Sequence, residues 1–276
     1  MTTSLTESAI VSRLRAAGCV FAEDEARLIL AAARTPDDAS AMVERRAAGL
    51  PLEHVLGWAE FCGLRIAVEP GVFVPRRRTE FLVRRAAALA PPRPVVVDLC
   101  CGSGALGAAL VSGLVSGLVS GLVSGQVSGA GGAELHAADI EPAAVRCARR
   151  NIAPFGGRAY EGDLFAPLPD ALRGRVGVLL ANVPYVPTGD VATLPAEARD
   201  HEPRVALDGG PDGLDVLRRV TAEAAGWLAP GGRLLFETSE RQVADAVAAV
   251  ERGGLAAAVA TSDEFSATVI AGAKPV

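Results

Sequence analysis

The sequence predicts an α/β fold: a doubly wound, mostly parallel sheet preceded by a small helical unit and a β-hairpin. Three observations predict it. From Val95 onward, short apolar stretches alternate with segments of helical periodicity, as strands joined by crossover helices do. The first stretch runs into Gly102-x-Gly104-x-x-Gly107, a glycine turn between a strand and a helix. Ahead of it, three segments between Ser4 and Ala48 carry apolar residues at helical spacing, and two short stretches around Cys62-Gly63 read as a hairpin.

Composition narrows the function classes. The 276 residues are 50% hydrophobic, enough for one large domain or two smaller ones. Aromatic residues make up 4%, so the core is built mainly from Val, Leu and Ala. A net charge of −5 and a pI near 5.4 argue against a general polyanion binder. The five cysteines (Cys19, Cys62, Cys100, Cys101, Cys147) are odd in number and form no CxxC pair. They point to a reduced, cytoplasmic setting and to no metal site. The N-terminal stretch carries Glu and Arg without an apolar signal core, and no apolar run of spanning length lacks Gly, Ser or charge.

Taken in order, Ser4 to Ala17, Ala22 to Ala33 and Pro36 to Ala48 read as helices, punctuated by Gly18, Thr35-Pro36 and Gly49. Trp58 to Phe61 and Leu64 to Val68 form the hairpin. Thr79 is placed to cap a helix running to Ala90. Arg76, Arg77 and Arg78 are either a solvated turn or a patch near an anionic ligand or partner. Pro91-Pro92-Arg93-Pro94 is a linker. Strands then follow at Val95 to Leu99, Leu135 to Ile140, Arg158 to Tyr160, Val176 to Ala181 and Arg233 to Glu237. Helices lie after Gly104, at Pro142 to Asn151, at Gly213 to Leu228 (closed by Pro230-Gly231-Gly232) and at Gln242 to Glu251. Leu255 to Thr261 and Ser266 to Ala271 close the sheet as an antiparallel pair.

Residues 111–129 repeat Val-Ser-Gly five times at a four-residue period. So much Gly and Ser makes a poor helix and a poor core, and the segment is expected to be a tolerated, mobile insertion prolonging the first helix or its loop. Gly113, Gly117 and Gly121 mimic a membrane-helix packing motif, but the recurrent Ser and Gly argue against a span.

The glycine turn suits a nucleotide-like ligand approaching backbone N–H groups. An acidic residue about twenty positions on is then expected to bind ribose hydroxyls. Asp139 lies 35 residues beyond Gly104, and 16 once the 19-residue repeat is set aside. Asp139 is therefore the ribose candidate; its other reading is a helix-capping aspartate before Ile140-Glu141-Pro142. Asp163 either reaches an adenine amino group or is a turn residue. Asp98 is expected to hold the loop or a ligand amine.

The most informative stretch is Val178 to Tyr185. Four apolar residues run into Asn182, then Val183, Pro184 and Tyr185. This is a buried strand ending in a rigid loop at the sheet's carboxyl edge, where open α/β sheets bind ligands. Pro184 restrains Val183 towards extended backbone, so the Asn182 side-chain oxygen and the Val183 carbonyl can face one planar NH2 group. Tyr185 supplies a flat wall. The bland reading is an ordinary exit from a strand.

Together these residues resemble the class I S-adenosylmethionine-dependent methyltransferases, and more closely the HemK/PrmC-type protein-(glutamine-N(5)) methyltransferases. The resemblance rests on Pro51 to Gly57 with Phe61, on Phe73-Val74-Pro75-Arg76 with Thr79-Glu80, on Asp98 to Gly104, and on Glu202 to Gly210 followed by Asp212-Gly213-Leu214. It covers almost the whole chain. The family's Asn-Pro-Pro-Tyr stands here as Asn182-Val183-Pro184-Tyr185, and its interdomain Pro-Glu as Arg77-Arg78, which marks a divergent branch.

The resemblance implies a Rossmann-like methyltransferase domain over residues 91–276 carrying the 111–129 insertion. It implies a substrate-recognition domain over 1–50 and a hairpin connection over 51–90. It implies S-adenosylmethionine as cofactor, held by Asp98, Cys100, Cys101, Gly102, Ser103, Gly104, Asp139, Asp163, Leu164 and Asn182. Catalysis falls to Asn182, Val183, Pro184 and Tyr185. The implied reaction is methylation of a glutamine amide in a protein, with the Gly-Gly-Gln loop of peptide chain release factors as the implied substrate in translation termination. The protein is expected to be monomeric, cytoplasmic and without direct nucleic-acid or membrane contact. Two other readings stay open. Such a loop also presents acceptors to a nucleic-acid base amino group, and the altered loop is compatible with a cofactor-binding protein without turnover. A dinucleotide oxidoreductase has no use for the Asn182 loop.

Overall fold

A computed structural model describes residues 6–116 and 132–276. Helix α1 (Glu7–Ala16) starts at Thr6, whose hydroxyl accepts the Ala9 N–H, and ends ahead of left-handed Gly18. Helices α2 (Ala22–Ala32) and α3 (Pro36–Ala47) follow; Thr35 caps the latter and Pro36 opens it. A short α4 (Leu52–Leu56), not foreseen from the sequence, completes this unit. Ile10, Leu14, Ala26, Ile29, Val43 and Val55 form its own apolar core. Its packing therefore extends past residue 50.

The hairpin β1 (Trp58–Phe61) and β2 (Leu64–Ala67) turns on Cys62 and Gly63, both at positive φ, which matches the right-handed twist of the strands. A 3-10 turn over Arg77–Thr79 leads into α5 (Glu80–Leu89). Thr79 is not the cap expected: it is already helical, and its hydroxyl donates to Glu237 instead.

The remaining elements are β3 (Val95–Leu99), α6 (Ala105–Ser116), β4 (Glu134–Asp139), α7 (Pro142–Ile152), β5 (Arg158–Glu161), β6 (Val176–Ala181), α8 (Ala196–His201), α9 (Asp215–Trp227), β7 (Leu228–Thr238), α10 (Val243–Arg252), β8 (Ala256–Ser262) and β9 (Ala267–Ala273). The strands form one sheet in the order β5-β4-β3-β6-β7-β9-β8. The first five are parallel; β9 runs antiparallel to both β7 and β8. Helix α9 begins two residues later than expected, after the Asp212-Gly213-Leu214 turn. Pro230-Gly231-Gly232 does part helix from strand, but within β7: Leu228 already pairs with Val176, and the ladder resumes at Arg233 opposite Val178. The first Val-Ser-Gly unit and the start of the second lie in α6; the rest of the repeat falls outside the described residues.

Both sheet faces are covered, so strands such as β3 and β6 are apolar on successive residues rather than alternating. On one face, Val96, Val178 and Leu180 pack with the hairpin, α5, α6 and α7. On the other, Val97, Leu179 and Phe236 pack with α9 and α10, stacked around Trp227. Asn151 at the end of α7 ties hairpin to sheet. Its amide oxygen accepts the Ala67 N–H at 2.9 Å, and its amide nitrogen donates to the Ala67 and Ser103 carbonyls at 2.9 and 2.8 Å. Arg46, buried in the helical unit, pairs with buried Glu25 at 2.6 Å and with Glu197 of α8 at 2.7 Å.

Candidate active site

A cavity of about 660 Å³ opens at the carboxyl ends of β3, β4 and β6. There the strand order reverses, β4 and β6 lying on opposite sides of β3. The helical unit does not wall it, but the segment after Gly71, the glycine turn, the Asn182 loop and α8 do.

The glycine turn is built by backbone geometry. Cys100, Gly102 and Gly104 all have positive φ. The Gly102 N–H donates to Asp139 Oδ2 at 2.8 Å, and the Glu141 N–H to Oδ1 at 2.9 Å. Asp139 therefore binds the turn and the residue that opens α7; it is not the helix cap itself, which is Glu141. Burial raises its pKa, opposed by those two N–H groups. Gly102 has space for close approach, its nearest neighbour beyond the turn being Phe73 at 4.0 Å. Gly104 does not. A Cβ there would lie 3.0 Å from Ile152 and 3.1 Å from Ala148, so this glycine lets the turn pack on α7 and does not line the cavity.

Asp98 is likewise beneath the turn rather than in the cavity wall. It is fully buried, and its Oδ2 accepts the Gly107 N–H at 2.9 Å. Its Oδ1 is buried without a hydrogen-bond partner. Burial pushes this carboxyl up to about 7 despite the Gly107 N–H, and the Asp139 charge adds to the rise. Cys100, Cys101 and Ser103 join Gly102 and Asp139 in the wall. Burial drives both thiols well above their ordinary pKa, so neither is a reactive thiolate. Asp163 and left-handed Leu164 line the same wall, Asp163 paired with Arg219 at 2.5 Å.

Asn182, Val183, Pro184 and Tyr185 form the opposite wall. Asn182 Oδ1 is buried and has no hydrogen-bond partner. Such an atom costs free energy unless something donates to it. Val183 is buried, so the residue replacing the family proline is accommodated by packing. The loop itself is clamped. The Val186 N–H donates to the Leu207 carbonyl at 3.0 Å, and the Gly209 N–H to the Val186 carbonyl at 2.8 Å. Gln242 donates its amide hydrogens to the carbonyls of Tyr185 and Asp212, both at 2.9 Å. A Cβ on Gly213 (φ +78°) would fall on the Tyr185 carbonyl oxygen and the Gln242 amide. This close fit is the physical content of the Glu202-to-Leu214 motif.

The arginines combine features of both readings: Arg77 and Arg78 are exposed, and Arg76 and Arg78 line the cavity with their charges paired. Arg76 pairs at 2.6 Å with Glu202, which also accepts the Val74 N–H at 3.1 Å. Arg78 pairs with Glu237 at 2.8 Å and donates to the Tyr185 hydroxyl. Arg77, like Arg78, is exposed. Glu237 also accepts the Tyr185 hydroxyl at 2.9 Å and the Thr79 hydroxyl at 2.8 Å. Glu237, Gln242 and Asn151 escaped the sequence reading. A charged residue at the carboxyl end of an apolar strand, as Glu237 is, was the available signal.

Among the described residues, no cluster of His, Cys, Asp and Glu could hold a metal ion, and no helix is long and apolar enough to cross a membrane.

Comparison with known proteins follows the same lines. No protein-family model matches the chain. A release factor glutamine methyltransferase of Geobacter sulfurreducens is 37% identical over 215 residues, 77% of this chain and 69% of that protein. One of Mycolicibacterium smegmatis is 39% identical over 216 residues, covering 77% and 70%. Among solved structures, a methyltransferase from Pyrococcus furiosus superposes with a TM-score of 0.52 at 14% identity, covering 87% of this chain and all of that one. The Thermus thermophilus 16S rRNA N2 G1207 methyltransferase, solved with AdoMet and guanosine, gives 0.54 at 18%, covering 79% and 49%. Those two likenesses are of the fold.

Proposed function

The chain belongs to the release factor glutamine methyltransferase family, and on that premise we propose how its residues carry the reaction. It is an S-adenosylmethionine-dependent methyltransferase whose substrate is a glutamine side-chain amide of a peptide chain release factor, in the Gly-Gly-Gln loop. The observation that carries the assignment to this cavity is the buried, unpartnered Asn182 Oδ1 in a wall shared with Tyr185.

The residues present fit the cofactor. Asp139, at the carboxyl end of β4, keeps acceptor capacity beyond the two N–H groups it already takes, as ribose hydroxyls require. Gly102 leaves room for close backbone approach. Cys100, Cys101, Ser103, Asp163 and Leu164 complete that end of the cavity. Asp98 and Gly104 support the turn from below. When bound, the cofactor supplies a methyl group activated by its positively charged sulfur.

The chain's own part is positioning. An amide nitrogen is a weak nucleophile because its lone pair is delocalised. Asn182 Oδ1 and the Val183 carbonyl accept its two N–H groups, which raises electron density on nitrogen and fixes its plane. Tyr185 packs on the amide. Preorganised dipoles aimed at the amide account for most of the rate. Neither acceptor is a strong base, so the surplus proton leaves to solvent.

The helical unit, bounded at residue 50 by the sequence and carried by its packing through α4, serves as the substrate-recognition domain, and the segment from there to residue 90 as the connection to the methyltransferase domain over 91–276; the unit's separate core supports this. The protein works as a monomer in the cytoplasm, a setting that its five free cysteines suit. Light scattering tests the first point and fractionation the second. For the reaction, radiolabelled methyl transfer to a purified release factor is compared between wild type and Asn182→Ala. Label in the wild-type reaction alone, at a glutamine, is expected; equal labelling by both proteins overturns the assignment of Asn182.

A further inference from the structure

We propose that Glu237 and Arg78 are positioning residues for Tyr185: Glu237 holds the ring by accepting its phenolic hydrogen, and Arg78 holds and neutralises Glu237. The inference rests on Tyr185 being the wall against which the substrate amide packs.

Glu237 is 4% exposed in its side chain, yet it sits between three donors from two distant segments. Oε1 takes the Tyr185 hydroxyl at 2.9 Å and Arg78 Nε at 2.8 Å; Oε2 takes the Thr79 hydroxyl at 2.8 Å. A carboxylate removed from water needs such partners, and one with them is rigid. Its strand is flanked by β6 and β9, so the carboxylate cannot drift. Being filled by protein donors, it is not left to bind a ligand.

The backbone of Tyr185 is secured separately, through Gln242 and the Gly213 contact. What Glu237 adds is therefore the ring's orientation, since a phenol free at its hydroxyl can turn about two side-chain bonds. Burial first, then the Glu237 charge, raise the phenol's pKa, with Arg78 opposing; the group stays a protonated donor at neutral pH. Arg78, 48% exposed at the cavity wall, also places its guanidinium 5.7 Å from the ring centroid. It stands where the family pattern has Glu, which would repel Glu237.

The test is a double-mutant cycle on the full chain with a purified release factor: Glu237→Gln, Tyr185→Phe and both together. Glu237→Gln is expected to lower kcat about tenfold or more while the Kd for S-adenosylmethionine moves less than about twofold. In the Tyr185→Phe background, where no phenolic hydrogen remains, the same substitution is expected to change kcat less than about twofold. An equal loss in both backgrounds means that Glu237 acts through the fold at large and overturns the proposal, as does a wild-type kcat for Glu237→Gln. If Glu237→Gln does not fold, Arg78→Gln, at a half-exposed position, enters the same cycle under the same criteria. Asn182→Ala separates the two ideas. Its collapse alongside an active Glu237→Gln sinks the positioning role alone, whereas full turnover by Asn182→Ala sinks the reading of the site.

Discussion

At Asn182 the proposed function turns on one atom. Its Oδ1 is buried and free of any protein donor, and on the proposed function it takes the substrate's N–H. Asn182→Ala should lower kcat by about a hundredfold, the usual scale for losing a preorganised polar group, with cofactor affinity nearly unchanged. Single-turnover methyl transfer with parallel calorimetry measures both. Asp139→Ala is the converse case. It orphans the Gly102 and Glu141 N–H groups and removes the proposed ribose acceptor, so S-adenosylmethionine should bind at least about tenfold more weakly. That both residues line the cavity was legible in the sequence, because each ends an apolar stretch at the sheet's carboxyl edge. Glu237 occupies the same kind of place and was passed over. Its partners Arg78, Thr79 and Tyr185 are far away in sequence, and no spacing rule reaches them.

At the scale of the element, the glycine turn stores a pH response. Asp98 titrates near 7 in the folded chain and near the ordinary aspartate value when unfolded. The folded state therefore holds the proton more tightly, and stability falls as pH rises from about 4 to about 7, then levels off. The slope from this group is at most about 1.4 kcal/mol per pH unit. Asp98→Asn, measured by urea unfolding at pH 5 and pH 8, should lose that slope. The clamp under the Asn182 loop responds differently. Gly213→Ala forces a side chain into a left-handed position already filled by the Tyr185 carbonyl, at a cost of about 1–3 kcal/mol. Turnover should fall with it, while thermal unfolding stays cooperative. Strand and helix identities were readable because both sheet faces are covered and the apolar runs are unbroken. Thr79 was misread because its neighbours suit a cap, whereas a buried carboxylate claims its hydroxyl. Helix α4 was missed because five residues carry too little periodicity.

At the scale of the molecule, Arg46 couples the helical unit to the cavity wall. It is buried against Glu25 and reaches Glu197, which lines the cavity and is half exposed. Arg46→Ala leaves the Glu25 carboxylate buried and unpaired and should destabilise the chain by about 3–5 kcal/mol. Glu197→Ala breaks the exposed arm and should cost less than about 1 kcal/mol in the same denaturation experiment. Neither partner was foreseen, since nothing local in the sequence joins residues 151 positions apart. The sheet order carries a consequence for biosynthesis. Strand β9, which follows β8 in sequence, inserts between β7 and β8. While the polypeptide is still leaving the ribosome, the glycine turn and Asp139 are already out, but β7 has one edge bare and Gln242 has only just followed. A premature stop ahead of Ala267 should yield an unpaired β7 edge that draws chaperones or aggregates, rather than a weakened enzyme.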